Sequence, residues 1–564
     1  MRASTLSTEA RPAVTFDPGR RLEWVDLAVL GFLLTAGVSF WAAYDRTLGG
    51  AKFVAIAGAI AVYWGLARSS LSGLWKAATL FGVLGAAFSG LILLSLFLGN
   101  PLATRGAGAS VGLDPPGFLA LDADSEVGLV AVLLPFQVAV ASYAWRQGEP
   151  RNRIGWTAGC LLSAGALFVG NSRGAVVASA LAGGGVLWLA WTGTTRPTRR
   201  LLLLAAPLVG LLAVAGYFAM SGSLAGARET LLSRVQLAQE GLWLAQDFGL
   251  TGGGLGSFPG LYSRYILIEP FPFYSRSYNL FLDLVIEQGL LALVSYLAIC
   301  AGSLWSLSAT RRYPSPKSRR VWLMQAAAAA SLLTVLILGM VHDPFSEPIG
   351  ALFLLVGPGF AASLRRSLDV AVRVSTSAGG DTSGGGVGRR LSPVYVGGLA
   401  IALAAIGWWS WPRLPATLWA NIGSVRLAQI ELKGWPEGKR RDPNAAFELA
   451  RARRYLESSL AWDPANRAAN YRLGLLALEQ EDFDEAAEYL ERAWAQADGH
   501  RGIRKALGYS YAWLGRLDQA AEVLRPIPEA SRELRAFARR WRDRGRPDLA
   551  EWAAALSARL EASG

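Results

Sequence analysis

Between residues 233 and 292 the chain gathers the groups best suited to handling a polar substrate. It reads SRVQLAQEGLWLAQDFGLTGGGLGSFPGLYSRY and then, past a Pro-broken turn, SRSYNLFLDLVIEQGLLA. Arg234, Arg264 and Arg276 stand in this stretch, a glycine cluster at Gly252, Gly253, Gly254 and Gly256 interrupts it, and Tyr278-Asn279 leads into an apolar segment. The glycine cluster has no strand before it and no Lys-Ser/Thr after it, which argues against a P-loop or a dinucleotide fingerprint. Two readings stay open for it: backbone N–H groups brought close to a ligand, or a tight turn at a membrane surface.

The elements that position these residues are membrane helices. With 564 residues, 52% hydrophobic, and a mean hydropathy of +0.31, the chain is too apolar for an ordinary soluble globule. Apolar runs near the ~20 residues of a spanning helix fall at 25–44, 50–67, 75–98, 125–145, 154–170, 174–193, 201–220, 279–308, 321–341, 349–363 and 394–411. The expected fold is all-α, a polytopic bundle of about eleven spans. No apolar h-region precedes a cleavage site in residues 1–24, so the first span is expected to be retained.

The formal charge of +13 does not point to nucleic acid. Basic residues bunch in alternate loops, at Arg20-Arg21, Arg68, Arg146 to Arg153, Arg196 to Arg200, Arg311 to Arg320 and Arg365 to Arg390, as cytoplasmic loops require. The N-terminal segment 1–24 is then cytoplasmic, and the loop 221–278 lies on the opposite face. Arg173, Arg228, Arg234, Arg264 and Arg276 break the charge rule there and need a functional reason. The only cysteines, Cys160 and Cys300, sit within expected spans and read as small core residues. Two histidines, His342 and His500, are too few for a His-rich metal site. The spans hold few ions, Asp283 and Glu287 being the noted exceptions, which argues against a transporter of lipid-linked sugars.

Residues 366–393 are rich in Gly, Ser and Thr and read as a flexible cytoplasmic linker, with a last span over 394–412. Beyond it an internal period of 34 residues emerges. Gly474 and Gly508, Ala486 and Ala520, and Leu490 and Leu524 repeat at that spacing. Ala452, Leu456 and Trp462-Asp463-Pro464 occupy corresponding places one period earlier, and a shortened unit follows at Gly545–Leu556. The pattern resembles tetratricopeptide repeats, helix pairs stacked into an α-solenoid. Residues 413–564 are thus expected to be an extracytoplasmic module for protein contact.

Several motifs together resemble the O-antigen ligase and polymerase family. Asn279, nine residues, Gly289, two residues and Ala292 match its helix-opening signature. Arg234, Trp243, Asp247, Leu250-Thr251-Gly252-Gly253-Gly254 and Ser257-Phe258 match its "R…W…D-x-P-L-x-G-x-G-x-x-F" stretch, and Asn171-Ser172-Arg173-Gly174 matches its "SRG" element. The resemblance covers residues 25–365 and extends toward 411. It implies a GT-C-like membrane glycosyltransferase of the bacterial inner membrane, requiring no metal or other cofactor. Its substrate would be a glycan on an undecaprenyl pyrophosphate carrier at the periplasmic face, passed to a glycan, lipid or protein acceptor.

Such chemistry needs fixed cations for the leaving pyrophosphate, and guanidinium forks bind phosphate oxygens in pairs. Arg173 and Arg234 match the family's arginines, and Arg264 and Arg276 join them by loop position. Gly252, Gly254 and Asn279 shape the loop. The family's histidine is Tyr278 here. A tyrosine, with an ordinary pKa near ~10, is a poor general base at neutral pH. His342-Asp343, Glu347 and Glu269 lie on the same face as substitutes. The change leaves ligase, polymerase and non-catalytic scaffold open. Loss of residues 413–564 is expected to reduce efficiency without abolishing transfer.

Overall fold

The computed structural model describes residues 24–97, 123–147, 150–169, 173–192, 224–268, 274–309, 319–343, 348–378, 413–436 and 445–563. These residues form helices and turns, with no strand among them. The membrane part opens with α1 (Trp24–Ala42), α2 (Arg46–Ala67), α3 (Leu71–Phe97), α4 (Ala123–Gln147), α5 (Pro150–Val169) and α6 (Arg173–Thr192). Helix α7 (Leu224–Asp247), the single turn α8 (Phe258–Tyr262) and a π-turn at Ser263–Leu267 make up the polar insertion. Then come α9 (Leu280–Gln288), α10 (Leu290–Ala309), α11 (Arg319–Leu338), the turn α12 (Pro348–Ala351) and α13 (Val356–Ala378).

Seven helical segments are long and apolar enough to cross a membrane: Trp24–Ala42, Arg46–Ala67, Leu71–Leu94, Glu126–Gln147, Leu290–Ser308, Arg319–Leu338 and Pro348–Ser367. The count of eleven is not reached among the described residues. Two expected spans, 201–220 and 394–411, lie outside them. The span expected at 154–170 is in α5, whose first turn carries Arg151 and Arg153. That expected at 174–193 is in α6, with Gly174–Gly183 as its apolar core.

The expected span 279–308 breaks in two at Gly289, whose φ of 84° no continuous helix allows. At the other end α13 runs to Ala378, so the first residues of the 366–393 linker are helical. The remaining linker residues lie outside the description.

The two ends of the bundle differ in chemistry. At one, Arg366 pairs with buried Asp26 at 3.0 Å, Tyr63 donates to the same carboxylate at 3.0 Å, and Arg320 lies over the rings of Trp75 and Tyr143. The opposite end holds Asp45, which caps α2 by accepting from the N–H groups of Thr47 and Leu48. It also holds the polar insertion and the 339–343 turn.

The C-terminal part is α14 (Leu414–Glu431), α15 (Ala445–Trp462), α16 (Arg467–Glu479), α17 (Phe483–Trp494), α18 (Arg501–Trp513), α19 (Leu517–Leu524), α20 (Ala530–Asp543) and α21 (Pro547–Ser563). Their pairing explains the sequence period. Gly474 lies against Leu490 and Gly508 against Leu524, where a Cβ would come within 2.6 and 2.4 Å of the leucine Cγ. Glycine at that register lets each of these two pairs close without displacing the leucine. Asn466, Asp482 and His500 start α16, α17 and α18 by accepting from the N–H three residues on, an N-cap arrangement.

Candidate functional site

The spacing Asn279–nine residues–Gly289 is a capped helix. Asn279 Oδ1 accepts from Leu282 N at 3.0 Å, α9 supplies nine residues, and Gly289 closes it with a left-handed φ and a 2.9 Å bond to Val285 O. The two motif ends are therefore its N-cap and its C-terminal glycine.

The glycine cluster completes that helix. Gly253 N donates to Ile286 O at 2.7 Å and Gly254 N to Glu287 O at 3.1 Å. Ser39 Oγ also donates to Glu287 O. These carbonyls are the orphan acceptors at the end of α9. Gly252 N is used as well, by Phe248 O at 2.8 Å. Side chains are excluded: a Cβ on Gly252 would lie 2.0 Å from Glu287 O, and one on Gly254 2.3 Å from Ala43 Cα. Of the two readings of this loop, the structure supports the tight turn: the N–H groups of Gly252, Gly253 and Gly254 face the protein's own carbonyls.

At the start of α9, Tyr278 is the hub of a cationic group. Its φ of 58° is unusual for a residue with a side chain, a strained state that packing must hold. The guanidinium carbon of Arg234 is 5.0 Å from its ring centroid and that of Arg276 5.7 Å. The His342 ring lies 6.3 Å away, tilted by 37°. The turn after α11 fixes the set. Val341 O accepts from Arg234 Nη1 at 2.9 Å, Met340 O from Asn279 Nδ2 at 3.2 Å, and Asp343 O from Arg276 Nη1 at 3.3 Å. Leu280 N donates to Gly339 O at 2.8 Å.

Five sequence-derived candidates thus converge: Arg234, Arg276, Tyr278, Asn279 and His342, with Asp343 adjoining. Arg276, His342 and Asp343 are buried, while Arg234 and Tyr278 are half-exposed. Among the described residues no carboxylate pairs with Arg234. Arg173 is the first residue of α6, and its neighbour Gly174 abuts the same turn, a Cβ there meeting Val341 Cγ2 at 3.1 Å. The Arg173 side chain, Glu269 and Glu347 lie outside the description.

Below this group, toward the bundle, lies an ionic cluster. Lys52 Nζ meets Glu287 Oε2 at 2.6 Å with both side chains buried. Asp283 Oδ1 accepts from Ser277 N at 3.2 Å. With Asp343 they line a cavity of about 20 Å³, room for roughly one water. Lys52 was not singled out from sequence, although a lone lysine inside an apolar span is itself a signal.

Arg264 is placed elsewhere. Its guanidinium donates to Glu431 at 2.9 and 3.0 Å and to Glu479 at 2.7 Å, so acids from the repeat part already neutralise it. Burial alone would raise the Glu431 carboxyl; Arg264 and hydrogen bonds from Arg264 and Tyr265 outweigh it and hold its pKa below the usual value. Tyr265, buried and facing that carboxylate, has its hydroxyl pushed well above the ordinary tyrosine range.

The same interface extends from Glu240 to Leu267. Asp247 accepts from Arg467 at 2.6 Å and from Arg472 at 3.0 Å, and Glu240 takes Arg501 at 3.0 Å. Tyr471 Oη donates to Tyr265 O at 2.7 Å, and Lys505 Nζ reaches Leu267 O. Gly502 is essential to this contact, since a Cβ would come 2.1 Å from Tyr265 O. Phe248, Leu261, Tyr265, Ile503 and Leu507 share one hydrophobic core. The insertion and the repeats therefore pack as one body at one end of the membrane helices.

Residues 158–297 match a family model described as O-Antigen ligase. Residues 477–539 match one described as Tetratricopeptide repeat. The first match takes in all the motifs behind the sequence resemblance, and the second the repeats with the clearest period. No curated protein matches the chain.

Proposed function

We propose that this chain, a multi-pass membrane protein carrying an O-antigen ligase segment ahead of tetratricopeptide repeats, transfers or polymerises a glycan delivered on undecaprenyl pyrophosphate at the periplasmic face of the inner membrane. The observation that supports this reading best is the pair of guanidinium groups on Tyr278, at 5.0 and 5.7 Å, beside His342.

In this mechanism Arg234 and Arg276, with Arg173 from the start of α6, hold the pyrophosphate. Their fixed charge stabilises the negative charge that develops as the anomeric C–O bond breaks. The acceptor hydroxyl attacks the anomeric carbon, undecaprenyl pyrophosphate leaves, and the hydroxyl proton passes to His342. Asp343, whose carbonyl accepts from Arg276, ties that residue to the cation group. Tyr278 provides the face on which both guanidiniums rest, an attraction of about 0.5–2 kcal/mol per contact. The repeats keep the insertion in place and contact a protein partner.

The test is the lipid-linked glycan profile of a deletion strain complemented with variants. Single repeat units accumulating in the deletion strain assign a polymerase, and accumulated polymer a ligase. Arg234→Ala and Arg276→Ala should reproduce the deletion profile while the protein stays folded in the membrane. Wild-type surface glycan in both variants would end the transferase reading.

A further inference from the structure

We infer that the helix pair α20–α21 is a docking groove for an acidic helix of a partner protein. This rests on reading the repeats as the partner-contact module and names the chemistry of that partner.

The argument starts from how the repeats grip one another. On α18, Lys505 Nζ holds Glu533 of the next first helix, α20, at 2.7 Å and Glu529 at 3.4 Å. Tyr509, one turn on, donates to the same Glu533. Arg501 takes Glu529 at 2.5 Å, so three positions of one first helix hold a glutamate pair spaced i and i+4 at the N-cap and first turn of the helix that follows.

The register carries over to α20. Gly515-Arg516 and Gly545-Arg546 both close the turn after a first helix, with glycine φ values of 72° and 73°. Aligning them puts Arg535 at the place of Lys505 and Arg539 at the place of Tyr509. Two of the three gripping positions have become arginine, Ser531 standing at the place of Arg501, and Arg532 and Arg542 extend the row along the same face.

That face is open. Arg532, Arg535, Arg539 and Arg542 are exposed and rim a groove of about 600 Å³ floored by Ala538, Ala554 and Ala558. Arg535 meets only the exposed Glu561, at 2.7 Å. Among the described residues no carboxylate pairs with Arg532, Arg539 or Arg542. Small residues below and cations at the rim match a helix with glutamates at i and i+4, held as α18 holds Glu529 and Glu533. An anionic lipid surface would require neither the floor nor the spacing.

A fluorescent alanine-based peptide of about 20 residues, long enough to form an isolated helix, with glutamates in i, i+4 pairs, tests this on the full-length protein in nanodiscs. Saturable binding is expected, weakened at least ~10-fold, about 1.4 kcal/mol, by Arg535→Glu with Arg539→Glu. A lysine version of the peptide should ignore the native protein and bind the reversed variant. Equal binding to native and reversed proteins would overturn the proposal. Displacement of the peptide by disordered polyglutamate or by anionic vesicles as readily as by unlabelled peptide would do the same. Binding is read without glycan transfer, so a failed groove and a failed transferase assignment give different results.

Discussion

Arg472 of the repeats and Asp247 of the membrane insertion meet at 3.0 Å with both side chains almost wholly buried, 225 residues apart in the chain. Arg472 also stacks on Tyr265, 3.4 Å from the ring centroid, and Arg467 takes the other carboxylate oxygen. Asp247→Ala would leave Arg472 charged and buried against apolar rings. Removing one partner of such a pair costs about 3–5 kcal/mol. Thermal melts of the detergent-solubilised protein should show this loss, and transfer should fall although neither residue touches the cation group at Tyr278.

The same interface sharpens the expectation that loss of residues 413–564 reduces efficiency without abolishing transfer. In the structure that cut strips Arg501 from Glu240, Arg467 and Arg472 from Asp247, and Glu431 and Glu479 from Arg264. It also exposes the shared core around Phe248 and Leu261. The truncated protein should therefore lose most of its transfer and be degraded or aggregate. Gly502→Ala, whose Cβ meets Tyr265 O, is the milder version: limited proteolysis should find the insertion newly cleavable. A truncated chain with full transfer would refute this coupling.

His500 makes the docking pH-dependent. Its Nδ1 accepts from Ile503 N at 3.1 Å, and its ring lies between Trp243 and Tyr471. Burial first, then Arg467 and Arg472, hold its pKa well below the ordinary histidine value. The docked state refuses a proton that the open state accepts near pH ~6.5. Stability is thus unaffected above that pH and falls as pH drops below it, toward the docked-state pKa. Melting temperatures measured from about pH 8 down to pH 5 should show this fall, within the range where histidine titrates. His500→Asn keeps an N-cap acceptor and should flatten the curve.

The local parts of the site were legible in the sequence, and the distant parts were not. Asn279 is legible as the residue that opens a helix because its cap is set by neighbours along the chain. The 34-residue period is legible for the same reason. The pairing of Arg264 is not legible in the sequence because its partners, Glu431 and Glu479, lie 167 and 215 residues further on; nothing near it in sequence distinguishes a neutralised arginine from one awaiting phosphate. Lys52 and Glu287 are 235 apart, and each alone looks like an ion stranded in a span. The break at Gly289 was hidden by the apolar residues on both sides of it.

Arg234 and Arg276 separate charge from shape. Arg234→Ala removes a cation that no described carboxylate neutralises, and loss of one donor to a developing anion costs about 10²–10³-fold in rate. Arg234→Lys keeps the charge but not the planar fork that donates to Val341 O while lying over Tyr278, so it should rescue only part of the loss. Rates from membranes supplied with lipid-linked glycan provide the measurement. Equal rates for arginine, lysine and alanine would remove Arg234 from the reaction.

Tyr278 stands where the resemblance to O-antigen ligases implies a histidine, and the geometry separates its ring from its hydroxyl. The ring supports both guanidiniums, whereas His342, 6.3 Å away, is the group assigned to the acceptor proton. Tyr278→Phe preserves the ring and should keep transfer within about threefold, less than 1 kcal/mol. Tyr278→Gly relieves a left-handed φ that costs about 1–3 kcal/mol but removes the platform, so stability should hold while transfer drops. His342→Ala should lose about 10²–10⁴-fold, as expected for a general base. If Tyr278→Phe is as inactive as His342→Ala, the hydroxyl takes part in proton transfer and the roles assigned to these two residues must be exchanged.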